Sequence, residues 1–168
     1  MQLNLTKSPP FLSTRTYDCS SQNGPRVIVV TPTYNEINNL PALVDRVFSL
    51  GINKIHVIVV DDGSPDGTGE VARKLSERFR GSMTVIQRNR KMGLGSAYIE
   101  GFRKALGQDV DFIIQMDADL SHSPEIIPEM LNKLERADVV VGSRYVYGAE
   151  SNWRWGTPRH LISLLSNL

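Results

Sequence analysis

The sequence predicts an α/β fold in which a Rossmann-like, mainly parallel sheet is covered by helices on both faces. Five short apolar runs, rich in β-branched residues, are typical of strands that are buried on both faces. The segments between these runs carry apolar residues at helical spacing, as amphipathic helices do. Because strands and helices alternate along the chain, we expect parallel neighbours joined by right-handed crossovers.

Each predicted strand is short, and most of its residues are valine, isoleucine or another apolar type. A strand buried on both faces has this composition because neither face meets water. Sheets of this kind bind ligands at the carboxyl ends of their strands, so the residues just after each run are the candidates for a site. The predicted strands are Val27 to Val30, Lys54 to Val60, Met83 to Ile86, Phe112 to Met116 and Val139 to Val141.

Helix start and stop signals lie between the predicted strands. Prolines 124 and 158 can each occupy a first helical position, where the missing amide of proline has little cost. Asparagine is a good N-cap, and glycine often ends a helix. The predicted helices run from Asn38-Asn39 to Gly51, from Val71 to Phe79, from Gly93 to Gly107, from Ser123-Pro124 onward and from Thr157-Pro158 onward.

The composition fits one globular domain and does not favour a nucleic-acid-binding protein. The 19 basic and 18 acidic side chains leave a formal net charge of +1, whereas nucleic-acid binding calls for a clear basic excess. The one cysteine, Cys19, excludes an internal disulfide. No run approaches the roughly 20 apolar residues of a membrane-spanning helix. We expect a flexible, polar N-terminal arm at residues 1–25 and one domain at residues 26–168.

An acidic triplet, Asp117-Ala118-Asp119, follows the fourth predicted strand. Residues two apart on an extended segment point the same way, so both carboxylates can face one point. They repel each other unless a cation or a proton lies between them. A hard divalent cation typically binds one or two protein carboxylates together with phosphate oxygens and water, and Ser121 and His122 lie close enough to assist. A solvated turn is the alternative, but the preceding buried strand favours a metal site.

Further candidates follow the second predicted strand and precede the third predicted helix. Asp61 stands where an acidic residue commonly binds a ribose or a base edge, and residues 64–67 shape the loop after it. The glycine-rich piece at residues 91–96 lacks the spacing of a phosphate-binding loop, although a helix N-terminus there would favour anions. Arg88, Arg90 and Lys91 either form a solvated basic face or guide a diphosphate, and both interpretations stay open.

Five motifs occur in order between residues 31 and 145: T-P-T-Y-N-E, V-V-D-D-G-S-P-D-G-T, K-M-G-L-G-S-A-Y-I-E-G, M-D-A-D-L-S-H-S-P and G-S-R-Y. Together they resemble the dolichol-phosphate (polyprenyl-phosphate) mannosyltransferases, which are inverting glycosyltransferases with the GT-A fold. The resemblance implies that residues 26–168 form a nucleotide-sugar-binding domain of GT-A type. It also implies GDP-mannose as donor, a polyprenyl or dolichyl phosphate as acceptor, and Mg²⁺ or Mn²⁺ as cofactor.

The resemblance assigns roles to individual residues. Asp117 and Asp119 are the implied metal ligands, and either Ser121 or a water is the third, because some relatives have glutamine at that position. Asp119, Arg144 and Arg159 are the implied catalytic residues, with the two arginines meeting the diphosphate or the acceptor phosphate. The implied contacts to the nucleotide sugar are Pro32, Tyr34, Glu36, Val59, Asp61, Met116, Asp117, Ala118, Asp119 and Arg144.

The resemblance also implies where the protein acts and what it needs. Family members work at the cytosolic face of a membrane, which is the endoplasmic reticulum in a eukaryote and the plasma membrane in a prokaryote. Because they continue past the end of this sequence, we expect a truncated C-terminal part and a need for the missing segment or a membrane-anchoring subunit. A UDP-sugar transferase, such as a polyprenyl-phosphate glucosyltransferase, and a non-catalytic nucleotide-binding fragment are the alternatives. The missing G-x-G-x-x-G turn disfavours a Rossmann dehydrogenase.

Overall fold

The computed structural model describes residues 18–143, which form a four-stranded parallel sheet between two layers of helices. The strand order is β3-β2-β1-β4, so β1 has hydrogen-bonded neighbours on both sides. The strands are β1 Val27–Thr33, β2 Ile55–Asp61, β3 Met83–Gln87 and β4 Phe112–Gln115. The helices are α1 Leu40–Phe48, α2 Thr68–Arg78, α3 Leu94–Leu106, a 3-10 turn Pro124–Ile126 and α4 Ile127–Lys133.

Side chains of β1 alternate between two apolar core layers. Val27 and Val29 belong to the layer that contains residues of α1, α2 and α4, whereas Ile28 and Val30 belong to the layer that contains residues of α3. All four are almost completely buried. Both faces of the central strands are covered, which explains why their apolar runs are continuous, as the sequence predicts. The α/β class is confirmed.

The first three helices begin close to their predicted starts, but the atoms that fix the starts differ from those expected. α1 begins after Asn39, whose side chain donates to Glu36 instead of capping the helix, and it ends at Phe48, before Gly51. α2 begins three residues earlier than predicted because Asp66 accepts hydrogen bonds from the amide and hydroxyl of Thr68. α3 matches its predicted span.

The fourth predicted helix begins with a 3-10 turn. Ser123 stands at the predicted cap position, but its hydroxyl donates to Glu125 and does not cap the backbone. The α-helical part begins only at Ile127. The predicted helix after Thr157-Pro158 lies outside the described residues.

The fifth predicted strand is wrong for this structure. Residues 139–141 form no strand, and Val139 and Val141 are 75% and 79% exposed. A β-branched triplet favours an extended backbone, but a strand also needs a hydrogen-bonded neighbour. Within residues 18–143, β4 pairs with β1 alone, so the triplet has no partner strand there.

Two residues of the segment 18–25, Cys19 and Pro25, pack against the domain, although the sequence assigns the segment to the flexible arm. Cys19 contacts the edge of the core, and its carbonyl accepts a hydrogen bond from the amide of Asn53. Pro25 is buried. The division at residue 25 stays a prediction, because residues 1–17 lie outside the described part. Between residues 18 and 143, no helix has the length and apolar character needed to cross a membrane.

α3 approaches the sheet closely at Gly101. A Cβ atom on Gly101 would collide with the side chain of Val30 and lie 3.3 Å from that of Val60. Gly95 is on the same helix, but it is exposed and a Cβ there would meet no atom within 4 Å. The missing side chain at residue 101 therefore lets α3 cover the central strands.

We expect Gly101→Ala to lower the free energy of unfolding by about 1–3 kcal/mol, because the added methyl group overpacks the core. Gly95→Ala is the matched control, and we expect it to be neutral or to add up to about 1 kcal/mol, since alanine favours a helix. Urea denaturation followed by circular dichroism measures both. Equal effects in the two variants would show that the close approach to Val30 does not determine stability.

Candidate functional site

The carboxyl ends of β1, β2 and β4, together with the start of α3, border a cavity of about 270 Å³. This is the edge at which a parallel α/β sheet binds its ligands. Four of the lining residues are acidic and one is basic. The lining consists of Pro32, Thr33, Tyr34, Glu36, Asp62, Lys91, Leu94, Ala97, Asp117, Ala118 and Asp119.

Six of the implied nucleotide-sugar contacts meet at this cavity: Pro32, Tyr34, Glu36, Asp117, Ala118 and Asp119. Three others, Val59, Asp61 and Met116, are buried and do not line it. Their implied contacts with a nucleotide stay predictions. Arg144 and Arg159 lie outside the described residues.

The turn after β1 is tied to the loop after β2 by hydrogen bonds from its backbone. The amide of Asn35 donates to the hydroxyl of Ser64 at 3.0 Å, and the amide of Glu36 donates to the hydroxyl of Thr68 at 2.9 Å. Asn35 has a φ of 61°, a left-handed conformation that asparagine tolerates better than most residues. These bonds fix the backbone that carries Tyr34 and Glu36.

Asp61 is fully buried and organises the loop after β2. Its carboxylate accepts hydrogen bonds from the hydroxyl of Thr33 at 3.2 Å, from the amide of Ser64 at 3.2 Å and from the hydroxyl of Ser64 at 2.5 Å. The structure therefore gives Asp61 a loop-holding role, and it agrees with the predicted part of residues 64–67 in shaping that loop.

Asp62, the next residue, lines the cavity and forms a buried ion pair with Arg88. The distance from Arg88 Nη1 to Asp62 Oδ1 is 3.0 Å, and both side chains are 5% exposed. Arg88 also donates to Glu100 and to Ser96, each at 2.8 Å. The same guanidinium therefore joins the end of β2, the end of β3 and the first turns of α3.

The other partners of Asp62 are backbone amides. Met92 and Gly93 each donate an N–H to its carboxylate at 2.8 Å. Burial alone would raise the pKa of Asp62, but these amides and the Arg88 guanidinium outweigh it, so the pKa lies below its ordinary value. Burial likewise opposes the charge of Arg88, and hydrogen bonds to Asp62 and Glu100 raise its pKa. Both groups are therefore charged in the fold.

The sequence prediction named Asp61 as a site residue and missed its neighbour Asp62, although the alternation of strand side chains indicates Asp62. Successive strand residues face opposite sides, and Val60 belongs to the core layer on the α3 side. Asp62, two residues later, reaches the same side and hence the glycine-rich start of α3. The pairing with Arg88, 26 positions away, has no local signal.

The carboxylates of the acidic triplet have different partners. Asp117 accepts a 2.5 Å hydrogen bond from the hydroxyl of Tyr98 on α3, and its amide donates to His122 Nδ1 at 3.3 Å. Asp119 accepts a 2.9 Å bond from the amide of Ser121. Burial, and next the bond to Asp117, raise the pKa of Tyr98 far above its ordinary value, so its hydroxyl stays a neutral donor.

This donor set fits a hard divalent cation that arrives with a phosphate ligand. Asp117 and Asp119 are two of the four acidic residues that line the cavity, and such a cation commonly takes its other ligands from phosphate and water. Among residues 18–143, no group of three His, Cys, Asp or Glu side chains is arranged to hold a metal by itself. Ser121 contributes its amide to Asp119, and its implied role as a third ligand stays a prediction.

Fold and site together define an α/β domain with an acidic cavity at the carboxyl edge of its parallel sheet. Residues 28–167 match the family described as "Glycosyl transferase family 2". The chain belongs to this family, and the predicted GT-A type of fold is confirmed.

Several curated relatives share more than 40% of their aligned residues with the chain. Polyprenol monophosphomannose synthase of Mycolicibacterium smegmatis is 44% identical over 132 residues, which are 77% of this chain and 49% of that protein. Undecaprenyl-phosphate mannosyltransferase of Micrococcus luteus is 43% identical over 143 residues, which are 85% of this chain and 58% of that protein. Dolichol-phosphate mannosyltransferase of Pyrococcus furiosus is 43% identical, with 82% and 38% covered. The matched part spans between 38% and 58% of these relatives.

Solved structures share the fold. The mannosyltransferase PcManGT from Pyrobaculum calidifontis, in complex with GDP-Man and Mn²⁺, aligns with a TM-score of 0.58 and 25% identity, covering 71% of this chain and 36% of that one. Mannosyl-3-phosphoglycerate synthase from Rubrobacter xylanophilus aligns with a TM-score of 0.52 and 22% identity, covering 68% and 38%. The second likeness concerns the fold alone.

We expect Arg88→Met to destabilise the protein by about 3–5 kcal/mol, because it leaves the buried Asp62 carboxylate without its ion-pair partner. The control is Arg26→Met, which removes the exposed pair with Asp109, whose side chains are 49% and 83% exposed. That pair is worth about 1 kcal/mol or less. Chemical denaturation compares the two. A loss below about 1 kcal/mol in Arg88→Met would contradict a structural role of the buried pair.

Proposed function

We propose that this chain is the nucleotide-sugar-binding part of a metal-dependent, inverting mannosyltransferase. Its reaction moves mannose from GDP-mannose to a polyprenyl or dolichyl phosphate and yields polyprenyl-phosphate mannose and GDP. The observation that carries the proposal is the meeting of Asp117 and Asp119 with Tyr34 and Glu36 at one cavity of a family 2 domain. The names of three relatives at 43–44% identity support the donor sugar and the lipid phosphate.

In this proposal the two sides of the cavity bind different parts of the donor. The turn that carries Pro32, Tyr34 and Glu36 holds the nucleoside, and the end of β4 holds the diphosphate side with Asp117 and Asp119. Val59, Asp61, Met116 and Ala118 complete the proposed donor contacts.

Asp117 and Asp119 are proposed to hold Mg²⁺ or Mn²⁺, with Ser121 or a water as a further ligand. When bound, such an ion stabilises the negative charge that develops on the departing diphosphate. The complex of PcManGT with GDP-Man and Mn²⁺ supports a divalent cation. Tyr98 and the amide of Ser121 orient the two carboxylates before any ligand binds.

The acceptor phosphate is ionised at neutral pH, so it needs no general base. One of its oxygens forms a bond to the anomeric carbon while the bond from that carbon to the GDP oxygen breaks. A single in-line displacement of this kind inverts the anomeric configuration, so an α-linked donor gives a β-mannosyl phosphate. Bringing two anions together requires cations, and we propose Arg144 and Arg159, with Asp119 at the donor, as the residues that serve the transfer.

The lipid acceptor places the proposed reaction at a membrane surface. We propose the cytosolic face, reached through a membrane-anchoring subunit or a further C-terminal segment. The chain spans between 38% and 58% of the relatives that it matches. The relatives' names support peripheral association with a membrane through their lipid substrate.

The donor is tested by titrating GDP and UDP into the protein with Mg²⁺, with Mn²⁺ and with EDTA. We expect GDP to bind more tightly than UDP, and Asp119→Asn to lose most of the gain that the metal gives. Asn89→Ala, on an exposed residue that does not line the cavity, is the control.

Tighter UDP binding would instead indicate the UDP-sugar alternative, and metal-independent binding would remove the proposed cofactor. Transfer of radiolabelled mannose to dolichyl phosphate, by this chain and by a longer one that includes its C-terminal continuation, tests the acceptor. Nucleotide binding without transfer by either chain would indicate a non-catalytic protein.

The hydroxyl of Tyr98 offers a second test. We expect Tyr98→Phe to weaken Mn²⁺ binding about tenfold, because groups that orient a metal ligand typically contribute that much. Phe102→Leu is the control, since Phe102 stacks on Tyr98 at 5.7 Å between ring centroids but has no hydroxyl to donate to Asp117. Electron paramagnetic resonance of Mn²⁺ in the presence of GDP measures both. Equal losses would assign the effect to ring packing.

A further inference from the structure

We propose that Lys91 is a diphosphate-binding residue of the donor site, and that Asp62 positions it. The proposal rests on the proposed function only in requiring that the ligand is a nucleoside diphosphate. It holds for either base and for any transferred sugar. Neither the acidic triplet nor the arginines implied by the resemblance include this residue.

The charges that line the cavity require a cation for such a ligand. Glu36, Asp62, Asp117 and Asp119 contribute carboxylates, and Lys91 is the one basic residue among the described lining residues. Asp62 is compensated by Arg88, which leaves an excess of negative charge. A diphosphate brings further negative charge into the same space. Apart from a bound metal ion, the cation that can offset this negative charge among the described lining residues is Lys91.

The backbone at Lys91 is fixed on both sides. The following amides, those of Met92 and Gly93, donate to Asp62, and Arg88 is held by Asp62 and Glu100. The loop after β2 also lies directly against this segment, since a Cβ on Gly63 would be 2.8 Å from the Cα of Arg90. The hydrogen bonds among Asp62, Arg88 and their partners therefore fix the backbone position of Lys91.

The side chain of Lys91 turns toward the cavity. Its Nζ lies 3.8 Å from the centroid of the Tyr34 ring, and Tyr34 is another lining residue. A cation held on an exposed ring is weakly bound, whereas an ammonium paired with a phosphate oxygen makes a stronger, charge-assisted hydrogen bond. The flexible stem of lysine lets the ammonium move from the ring to the phosphate while the backbone stays in place.

The neighbouring arginines do not meet these conditions. Arg88 is buried, and its guanidinium is engaged by Asp62, Glu100 and Ser96. Arg90 is exposed and does not line the cavity. Of the three basic residues whose role the sequence leaves open, the structure assigns the diphosphate to Lys91.

The test is a titration of Lys91→Gln with guanosine, GMP and GDP, and with UDP in parallel, in EDTA and then in Mg²⁺. We expect GDP binding to weaken on the order of tenfold and guanosine binding to stay unchanged, since the lost interaction is with phosphate. Lys91→Arg should restore part of the loss. Arg90→Gln, which removes a nearby charge outside the cavity, should change GDP binding by less than about twofold.

Equal weakening of guanosine and GDP would overturn the proposal, because Lys91 would then act through Tyr34 or the fold. An unchanged GDP affinity, or an equal loss in Arg90→Gln, would also overturn it. The same phosphate-dependent loss with UDP as with GDP would support it even if UDP proves to be the better ligand. Failure of the proposed donor is thereby distinguished from failure of the Lys91 assignment.

The positioning role of Asp62 is tested by a double-mutant cycle in the same titration. We expect Asp62→Asn to weaken GDP binding when residue 91 is lysine and to have a much smaller effect in the Lys91→Gln background. Thermal unfolding confirms that each variant is folded at the titration temperature. If Asp62→Asn is insoluble, Glu100→Gln, on the far side of Arg88, takes its place in the cycle. Equal effects in both backgrounds would overturn the positioning role.

Discussion

The ion pair between Asp62 and Arg88 is buried at the point where β2, β3 and α3 meet. Taking two charges out of water costs several kcal/mol for each ion, and only good geometry with further hydrogen bonds offsets that cost. Here the additional bonds come from two backbone amides, a second carboxylate and a hydroxyl. The observed arrangement of the loop before α3 supplies the hydrogen bonds that both charges need. One wall of the cavity therefore depends on this pair.

The opposite wall depends on carboxylates that accept hydrogen bonds from uncharged donors. Asp61 receives its bonds from Thr33 and Ser64, and Asp66 receives the amides of Ile37 and Thr68. Each of these bonds joins the end of one strand to the loop after the next, or closes a turn within that loop. Because β1 and β2 are parallel and in register, their ends lie side by side, which brings these groups within hydrogen-bonding distance. Parallel pairing thus preforms this side of the cavity.

Local sequence patterns predict the elements whose conformation depends on the composition and order of neighbouring residues. The runs that became β1 and β2 are buried on both faces, so their composition alone indicates strands. The triplet at residues 139–141 has the same composition, but a strand needs a neighbour, and local composition does not reveal one. The acidic residues after β4 are predictable because strand ends share an edge. The contacts from Arg88 to Asp62 and from Tyr98 to Asp117 join residues 26 and 19 positions apart, and only the fold brings them together.

The residue directly after the acidic triplet carries local backbone strain. Leu120 has a φ of 60°, which costs a residue with a Cβ atom about 1–2 kcal/mol. In this conformation the amide of Ser121 reaches the carboxylate of Asp119, while the side chain of Leu120 packs against the core. Glycine would avoid the strain, but it would lose the contact between the Leu120 side chain and the core. Leucine therefore couples the orientation of Asp119 to the packing of the domain, which keeps this carboxylate on an exposed turn directed at the cavity.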